Sequence, residues 1–316
     1  MNNILKFLFL GLIIFLSSCK DDPVDEPIIE KEFGKVGVHE VSTFTADNYA
    51  FSSVYYPSDI ATLKDKSPII FFISGWIGGG GVPSTKYETL LNFVASQGYT
   101  IVYVDEGATT NFQFSIDAIN TILDVDFVKS DILPFLNKTK FGIVGHSAGG
   151  GLVFTLLDHF KDEYGENGRF VMALDPWFAF GMDEEAMKGL PSNTNVSIIK
   201  FGAGGNSHND GTDARIPLTE FYLLNSIEAK NKDYQVFENG DHHYPYEDEI
   251  PGIVEPLHAL MEYTFVDQAE YIREIALEKG NDDPYADGNG IQVVLESYQY
   301  PCDGWSTLID YCEIVP

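Results

Sequence analysis

Positive charge is scarce in this sequence. Its 316 residues include 19 lysines and arginines against 48 aspartates and glutamates, which gives a formal net charge of −29. So acidic a chain is repelled by polyanions, and neither nucleic acid nor an anionic lipid surface is an expected partner. The same charge favours solubility but indicates nothing about chemistry.

Long apolar runs are lacking as well. The stretch from Phe7 to Leu16 is apolar but too short to cross a bilayer stably. Lys6 precedes it and Ser17-Ser18-Cys19 follows it, which is the layout of an export signal. The end of this segment also resembles a bacterial lipobox, which implies that residues 1–18 are a lipoprotein signal peptide and that Cys19 carries a lipid. The alternative is a plain signal peptide.

The segment after Cys19 has too little apolar surface to fold. Lys20 to Pro27 is polar, acidic and contains proline, so residues 19–34 are predicted to form a flexible tether. The acidic residues resemble the surface-export signal of Bacteroidota lipoproteins. The expected location is therefore a bacterial cell envelope, at the outer-membrane surface, with membrane attachment through the lipid on Cys19.

Cysteine is rare, and its number is odd. Three cysteines in an exported chain leave one over unless one of them has another role. If Cys19 carries a lipid, Cys302 and Cys312 remain to close a short C-terminal loop by a disulfide in an oxidising compartment. The alternative is two unpaired thiols.

The chain after the signal is long enough for one large domain with a C-terminal appendage. We assign residues 35–280 to the domain and 281–316 to a tail, because the composition becomes linker-like from Asn281 to Gly290. The carboxylates of that stretch could hold calcium, but their spacing does not match an EF-hand loop, so a solvated linker is favoured. No internal repeat is found, and a monomer is expected.

Apolar patterning predicts an α/β fold. Segments 36–41 and 51–57 alternate apolar with polar residues, as half-exposed antiparallel strands do. Continuous apolar runs predict strands covered on both faces at 68–73, 99–104, 141–144 and 170–174. Segments with helical spacing lie between these runs. The expected architecture is therefore a mostly parallel, doubly wound sheet with helices on both faces and an antiparallel N-terminal edge.

The same patterning extends toward the C-terminus. Strands are expected at 196–201 and 234–237, separated by a helix that begins near Ile216. Two further helices are predicted at 254–266 and 267–280.

Gly145-His146-Ser147-Ala148-Gly149 has the form Gly-x-Ser-x-Gly. So short a pattern often matches by chance, but here a buried strand precedes it and a helix opens at Ala148, which is the context that the motif requires. Ser147 would lie at the tip of a strained turn, at the positive end of the helix. We therefore predict Ser147 as a nucleophile; the alternative is a glycine-rich turn without chemistry.

A nucleophilic serine of this kind needs two backbone amides as an oxyanion hole. Ala148 supplies the first. The second is expected from the glycine-rich segment Ser74 to Gly81, with Trp76 as the preferred donor and Ile77 as the next choice. The alternative is a flexible loop with a purely structural role.

The base is expected after the last strand, where Gly240-Asp241-His242-His243 stands. The pattern Gly-x-x-His favours His243, and the pattern Gly-Asp-His favours His242. We prefer His243.

Two aspartates are candidates for the acid that orients the histidine. Asp175 ends an apolar strand and could instead bond local backbone amides. Asp213 follows the next strand and could instead cap the helix near Arg215. We prefer Asp175, because burying a carboxylate after so apolar a strand is costly without a partner such as an imidazole.

Together these residues resemble the α/β-hydrolase superfamily, in the branch of cutinase-like polyester hydrolases, chlorophyllases and platelet-activating-factor acetylhydrolases. The similarity covers about residues 35–266. Polyesterases carry a Gly-His-Ser-x-Gly-Gly turn, a glycine-aromatic pair in the oxyanion loop and a Pro-Trp pair after the sixth strand. These are matched by Gly145 to Gly150, Gly75-Trp76 and Pro176-Trp177. The resemblance implies that Trp76 and Trp177 flank the substrate.

At the acid, these families divide. Chlorophyllases and the acetylhydrolases have Leu-Asp at the end of the sixth strand, which matches Asp175. Polyesterases have an Asp-x-x-x-Pro loop, which matches Asp213. The segment 202–210 before Asp213 is longer than its polyesterase counterpart, and this departure weakens the second alignment.

The predicted function is a serine carboxylic-ester hydrolase that works through an acyl-enzyme with a Ser-His-Asp triad, without metal or cofactor. One alternative is a non-catalytic surface binding protein on a hydrolase scaffold. The other is a peptidase or acyltransferase of the same fold. The ester itself is not identified, although Trp76, Trp177 and Phe178 indicate an apolar or aromatic group.

Overall fold

The computed structural model describes residues 31–45, 52–77, 80–105, 112–202, 212–213, 215–237, 240–278 and 307–311. The predicted signal peptide, most of the tether, the lipidation site Cys19 and the cysteine pair Cys302 and Cys312 lie outside these residues. The chain divides into two units, Met1–Glu32 and Phe33–Pro316, and every helix and strand within the described residues belongs to the second. None of these helices is both long and apolar enough to span a membrane.

The strands, numbered along the chain, are β1 (Val41–Thr45), β2 (Ser52–Pro57), β3 (Ser67–Ile73), β4 (Trp76–Ile77), β5 (Gly80–Gly81), β6 (Thr100–Val104), β7 (Leu136–His146), β8 (Arg169–Leu174), β9 (Thr194–Phe201) and β10 (Lys232–Phe237). The α-helices are α1 (Glu88–Ser96), α2 (Phe112–Leu123), α3 (Ala148–Phe160), α4 (Glu184–Lys188), α5 (Arg215–Leu223), α6 (Pro251–Phe265) and α7 (Glu270–Leu277). Strand and helix alternate over most of this length, as the apolar pattern predicts.

Eight strands form one mixed sheet in the order β1-β2-β6-β3-β7-β8-β9-β10. β2 pairs antiparallel with β1 and β6, and all pairings from β6 to β10 are parallel. The mostly parallel sheet and its antiparallel N-terminal edge are thus confirmed. The carboxyl ends of the parallel strands share one edge, where the segments after those strands meet.

Helices cover both faces of this sheet, so its strands are buried on both sides. Alternate side chains of a strand face opposite ways. Phe71 of β3 belongs to a core shared with α2, α3 and α5, whereas Phe72 belongs to a second core shared with α1, α6 and α7. This explains why these strands read as continuous apolar runs.

The N-terminal edge differs from the prediction. The first strand begins at Val41, whereas Val36 and Val38, which suggested an earlier strand, are 77% and 93% exposed. β2 is nearly all buried rather than half-exposed. It lies between β1 and β6, and α1 and α2 pack against it, so both of its faces are covered.

The described part of the predicted tail packs into the main unit. Ile309 and Tyr311 are 3% and 1% exposed and belong to the core that contains α3 and α5. Residues 307–311 therefore add to the hydrophobic core of the second unit.

Candidate active site

Three side chains meet at the carboxyl edge of the sheet. Ser147 follows β7, Asp175 follows β8 and His242 follows β10. The Ser147 hydroxyl donates to His242 Nε2 over 3.0 Å, and His242 Nδ1–H donates to Asp175 Oδ2 over 2.5 Å. The carboxylate fixes this tautomer, since it only accepts. A serine hydroxyl thus bonds an imidazole whose other nitrogen bonds a carboxylate, a geometry in which the imidazole can take the serine's proton.

The backbone is strained at both Ser147 and Asp175, the first and last residues of this hydrogen-bonded series. Among the described residues, only Ser147 (φ 55°) and Asp175 (φ 41°) have positive φ without being glycine. A side chain rarely adopts such angles unless the surroundings enforce them, and such residues cluster at functional sites. Here the Ser147 N–H donates to Leu174 O (3.0 Å) and the Trp177 N–H donates to Ser147 O (2.8 Å). The two turns therefore hold each other in place.

Glycines let helix α3 approach β3 and the segment that follows β8. A Cβ on Gly149 would lie 2.3 Å from the carbonyl oxygen of Ile73, and one on Gly151 would lie 2.1 Å from that of Phe178. The Gly149 N–H instead donates to Ser74 O over 3.1 Å. The N-terminus of α3 is thus pressed against β3, with Ser147 at its cap position.

Asp175 is fully buried, and donors surround its carboxylate. Oδ1 accepts from the Phe201 N–H (3.2 Å) and the Thr212 hydroxyl (3.1 Å), and Oδ2 accepts from the Thr212 N–H (2.8 Å) as well as from His242. Burial alone would raise the pKa of Asp175, but the charge of Lys200 and the bonds from His242 and Thr212 outweigh it and lower the pKa below its usual value. The acid is therefore held as a carboxylate.

A second network connects His146, the residue before Ser147, to two neighbouring loops. His146 is fully buried, and its Nε2–H donates to the carbonyl oxygen of His242 over 2.8 Å. Its Nδ1 then accepts from the Tyr87 hydroxyl (2.8 Å), whose oxygen accepts from the Gly75 N–H (2.9 Å). Burial and the nearby His242 lower the pKa of His146 well below its ordinary value, so it stays neutral.

The glycine-rich segment lies directly beside the serine. A Cβ on Gly75 would lie 3.2 Å from Ser147 Cβ. Trp76 stands in the short pair of β4 and β5, opposite Gly81. The Val82 N–H donates to Gly75 O, so Gly75 and Val82 form a hydrogen-bonded pair. Because such pairs alternate in an antiparallel ladder, the next pair, Trp76 and Gly81, is not hydrogen-bonded, and the Trp76 N–H falls outside the ladder.

The two tryptophans expected beside the substrate face each other. The ring centroids of Trp76 and Trp177 are 6.3 Å apart with an interplanar angle of 32°. Trp76 is 38% exposed, whereas Trp177 is half-buried and packs on Phe178 and Phe180. The pair forms an aromatic surface beside the turn that carries Ser147.

The histidine preferred from the sequence, His243, does not make this contact. Its ring is 51% exposed, and its nearest carboxylate is that of Asp241 at 4.0 Å. The backbone explains the difference, because the His243 N–H donates to Asp241 Oδ1 (2.7 Å) in a tight turn that directs successive side chains apart. The alternate, His242, makes the contact with Ser147.

The two aspartates separate in the same way. Asp213 Oδ1 accepts from the backbone N–H of Arg215 (2.9 Å), and its carboxylate pairs with the Arg215 guanidinium at 3.0 and 2.7 Å. It thus caps the start of α5, which is the alternative that the sequence leaves open. Asp175, the preferred residue, is the one that contacts His242.

Sequence reasoning missed Lys200, Thr212, His146 and Tyr87 as parts of this site. Lys200 carries a signal, since it is a lysine among the apolar residues that end its strand. His146 lies next to Ser147 in the motif, but its hydrogen-bond partners come from distant parts of the chain. Thr212 and Tyr87 likewise contact the site through long-range packing that no local pattern reports. Within the described residues, no group of three or more histidine, cysteine, aspartate or glutamate side chains is arranged to hold a metal ion.

Comparison with models of known protein families finds none that matches this chain, and comparison with curated proteins finds no similar sequence. The site is therefore interpreted from its own geometry.

Proposed function

We propose that this chain is a serine hydrolase of the α/β-hydrolase fold that cleaves carboxylic esters through an acyl-enzyme. The observation that carries the proposal is the continuous contact from Asp175 through His242 to Ser147, on two strained turns and a helix N-terminus. The mixed sheet and the positions of the three residues after their strands support the fold assignment.

In the proposed reaction, Ser147 Oγ attacks the ester carbonyl while His242 Nε2 takes its proton. His242 then gives that proton to the leaving alcohol, and an acyl group remains on Ser147. A water molecule repeats the sequence and releases the acid. Asp175 keeps Nδ1 protonated and stabilises the imidazolium that forms.

The oxyanion would be bound by the backbone amides of Ala148 and Trp76. Ala148 is the first residue of α3, so its N–H has no acceptor within the helix and points toward the negative charge that develops. The Trp76 amide falls outside the ladder of β4 and β5. Donors that are held in place before the reaction are usually the largest single contribution to such catalysis.

The aromatic pair supports an apolar or aromatic group on the substrate. The rings of Trp76 and Trp177 lie 6.3 Å apart between centroids, and pockets for small organic ligands are lined mainly by apolar and aromatic side chains. A p-nitrophenyl ester of a short or aromatic acid is therefore a suitable first substrate.

The proposal is tested by comparing Ser147→Ala with the matched control Ser226→Ala. The Ser226 hydroxyl donates to Leu190 O, in the segment before β10, and has no part in the proposed triad. We expect Ser147→Ala to lower kcat on p-nitrophenyl butyrate by several orders of magnitude and to abolish labelling by a fluorophosphonate. Ser226→Ala should keep both. Full activity in Ser147→Ala would refute the proposal.

A substrate panel separates esterase from the other enzyme classes of this fold. Matched ester and amide substrates, together with added alcohol acceptors, would be compared at equal enzyme concentration. We expect cleavage of the ester with water as acceptor. A preference for amides would indicate a peptidase, and accumulation of a new ester would indicate an acyltransferase.

We also propose that the protein is exported and attached to a membrane through a lipid on Cys19. The expected result is incorporation of an alkyne-tagged fatty acid in a bacterial host and its loss in Cys19→Ser. Labelling that persists in Cys19→Ser would contradict the assignment.

A further inference from the structure

Lys200 places a buried cation against the acid of the proposed triad. Its side chain is 2% exposed, and its Nζ lies 3.2 Å from Asp175 Oδ1. Nζ also donates to the carbonyl oxygen of Phe201. A buried ammonium is unfavourable unless a carboxylate and further acceptors compensate it, and both are present here.

The position of Lys200 is set by the sheet. It is the second-last residue of β9, a strand that is almost entirely buried and whose last four residues are otherwise apolar. The Asp175 N–H donates to Ile199 O over 2.6 Å, so the turn after β8 is fixed to the strand that carries the lysine. The ion pair therefore joins β9 to the turn after β8. Lys200 contacts one carboxylate oxygen of Asp175, and His242 contacts the other.

The other titratable groups around this pair are neutral or more exposed. His146, on β7, has its ring 4.8 Å from that of His242, and burial keeps it neutral. Burial also raises the pKa values of Tyr87 and Tyr246, the latter to about 12. His243, beside His242 in the loop after β10, is half-exposed and its ring lies 5.7 Å away.

We propose that Lys200 is a positioning residue that neutralises Asp175 and so keeps His242 unprotonated, and able to act as a base, at lower pH than Asp175 alone would allow. This inference rests on the proposed function above. A lone carboxylate favours the protonated form of a neighbouring imidazole. A cation on the other carboxylate oxygen weakens that attraction while leaving the carboxylate to orient the ring.

The test is the pH dependence of kcat/KM on a p-nitrophenyl ester for the wild-type protein and Lys200→Met. The acid limb of the profile should move to higher pH in Lys200→Met by about one pH unit, as expected when a unit charge is removed a few ångströms from a partly buried pair. A role confined to packing would lower stability and leave the acid limb in place.

Lys232→Met is the matched control. Lys232 begins β10, on the strand next to β9, and its half-buried Nζ donates to the carbonyl oxygens of Leu224 (2.9 Å) and Phe221 (3.4 Å). This substitution removes the same charge from the amino ends of the parallel strands, away from the carboxyl ends that carry Asp175 and His242. We expect the acid limb of Lys232→Met to coincide with that of the wild type.

Two further variants keep the test decisive if Lys200→Met does not fold. Lys200→Arg retains the charge and should retain the acid limb, whereas Lys200→Gln removes the charge and should move it. An unmoved limb in Lys200→Gln overturns the inference. Ser147→Ala separates this failure from the failure of the proposed function, because full activity in Ser147→Ala overturns the function, while an inactive Ser147→Ala with an unmoved limb overturns only the role of Lys200.

Discussion

At the scale of single residues, the surroundings of a carboxylate decide what it can do. Asp175 is fully buried and directs one oxygen at His242, while Lys200, Thr212 and the Phe201 amide bind the rest of the group. Asp213 directs both of its oxygens at Arg215. The same side chain is thus a candidate triad acid in one place and a helix cap in the other.

Asp175→Asn and Asp213→Asn should therefore differ in kind. We expect Asp175→Asn to lower kcat by about 10³- to 10⁴-fold, because the amide would favour the wrong tautomer of His242. Asp213→Asn should leave kcat within a few-fold and lower the free energy of unfolding by about 1 kcal/mol or less, since asparagine also caps helices but loses the ion pair. Steady-state kinetics and urea unfolding measure the two effects. Comparable kinetic losses in both variants would contradict the assignment.

The adjacent histidines provide a second matched pair. His242→Ala removes the group that contacts Ser147 and should lower kcat by several orders of magnitude. His243→Ala removes a half-exposed ring and should leave kcat nearly unchanged. Kinetics on the same ester compare them, and a larger loss in His243→Ala would mean that the loop rearranges when substrate binds.

The sequence locates these partners but does not choose between the histidines. Ser147 can be found because its motif lies between a strand and a helix that are visible in the local pattern. The direction of His242 depends on a turn geometry that neither Gly-x-x-His nor Gly-Asp-His specifies. Lys200 contacts Asp175 across two strands and 25 positions of sequence, so only the fold brings them together.

At the scale of elements, burial on both faces makes most of the sheet predictable. The continuous apolar runs correspond to β3, β6, β7 and β8, because helices cover both sides of each. At the N-terminal edge the antiparallel pairing is as predicted, but the start of the first strand is not. The residues around Val36 alternate like a strand but are not paired in the sheet, and pairing rather than alternation defines the element.

The packing of α3 on β3 gives an element-scale prediction. Gly149→Ala would bring a methyl group 2.3 Å from the Ile73 carbonyl oxygen, so the helix must shift. We expect the free energy of unfolding to fall by about 2 kcal/mol or more, together with a loss of activity as Ser147 moves. Gly80→Ala is the control, because among the described residues no atom beyond its own chain neighbours lies within 4 Å of a Cβ built there. Chemical unfolding of both variants measures the difference, and equal stability would contradict the packing argument.

At the scale of the whole molecule, a buried polar cluster connects the C-terminal segment to the central domain. The Tyr311 hydroxyl accepts from the Ala179 N–H (3.0 Å) and donates to Glu220 Oε1 (3.2 Å). Glu220 is fully buried, and its Oε2 has no hydrogen-bond partner among the described residues. Sequence patterning assigns residues 281–316 to a separate tail. It does not show that Tyr311 packs into the domain, because the contacts of Tyr311 join residues about 90 and 130 positions apart.

Glu220 should make the stability of the fold depend on pH. Burial raises the pKa of Glu220 well above its ordinary value, so the folded protein keeps this carboxyl protonated. As pH rises above about 4, the residue ionises in the unfolded chain but not in the folded one, which favours unfolding. Below that pH both states are protonated, and the penalty is absent.

Glu220→Gln removes this penalty while keeping the shape of the side chain. We expect its Tm to exceed that of the wild type at pH 7 by a few degrees and the difference to disappear near pH 3.5, as the ordinary carboxyl value of about 4.3 requires. Glu274→Gln makes the same substitution on the exposed side of α7 and should show neither effect. Thermal unfolding across this pH range measures the two variants. If the difference between Glu220→Gln and the wild type were the same at every pH, ionisation of the buried carboxyl would not be the source of the penalty.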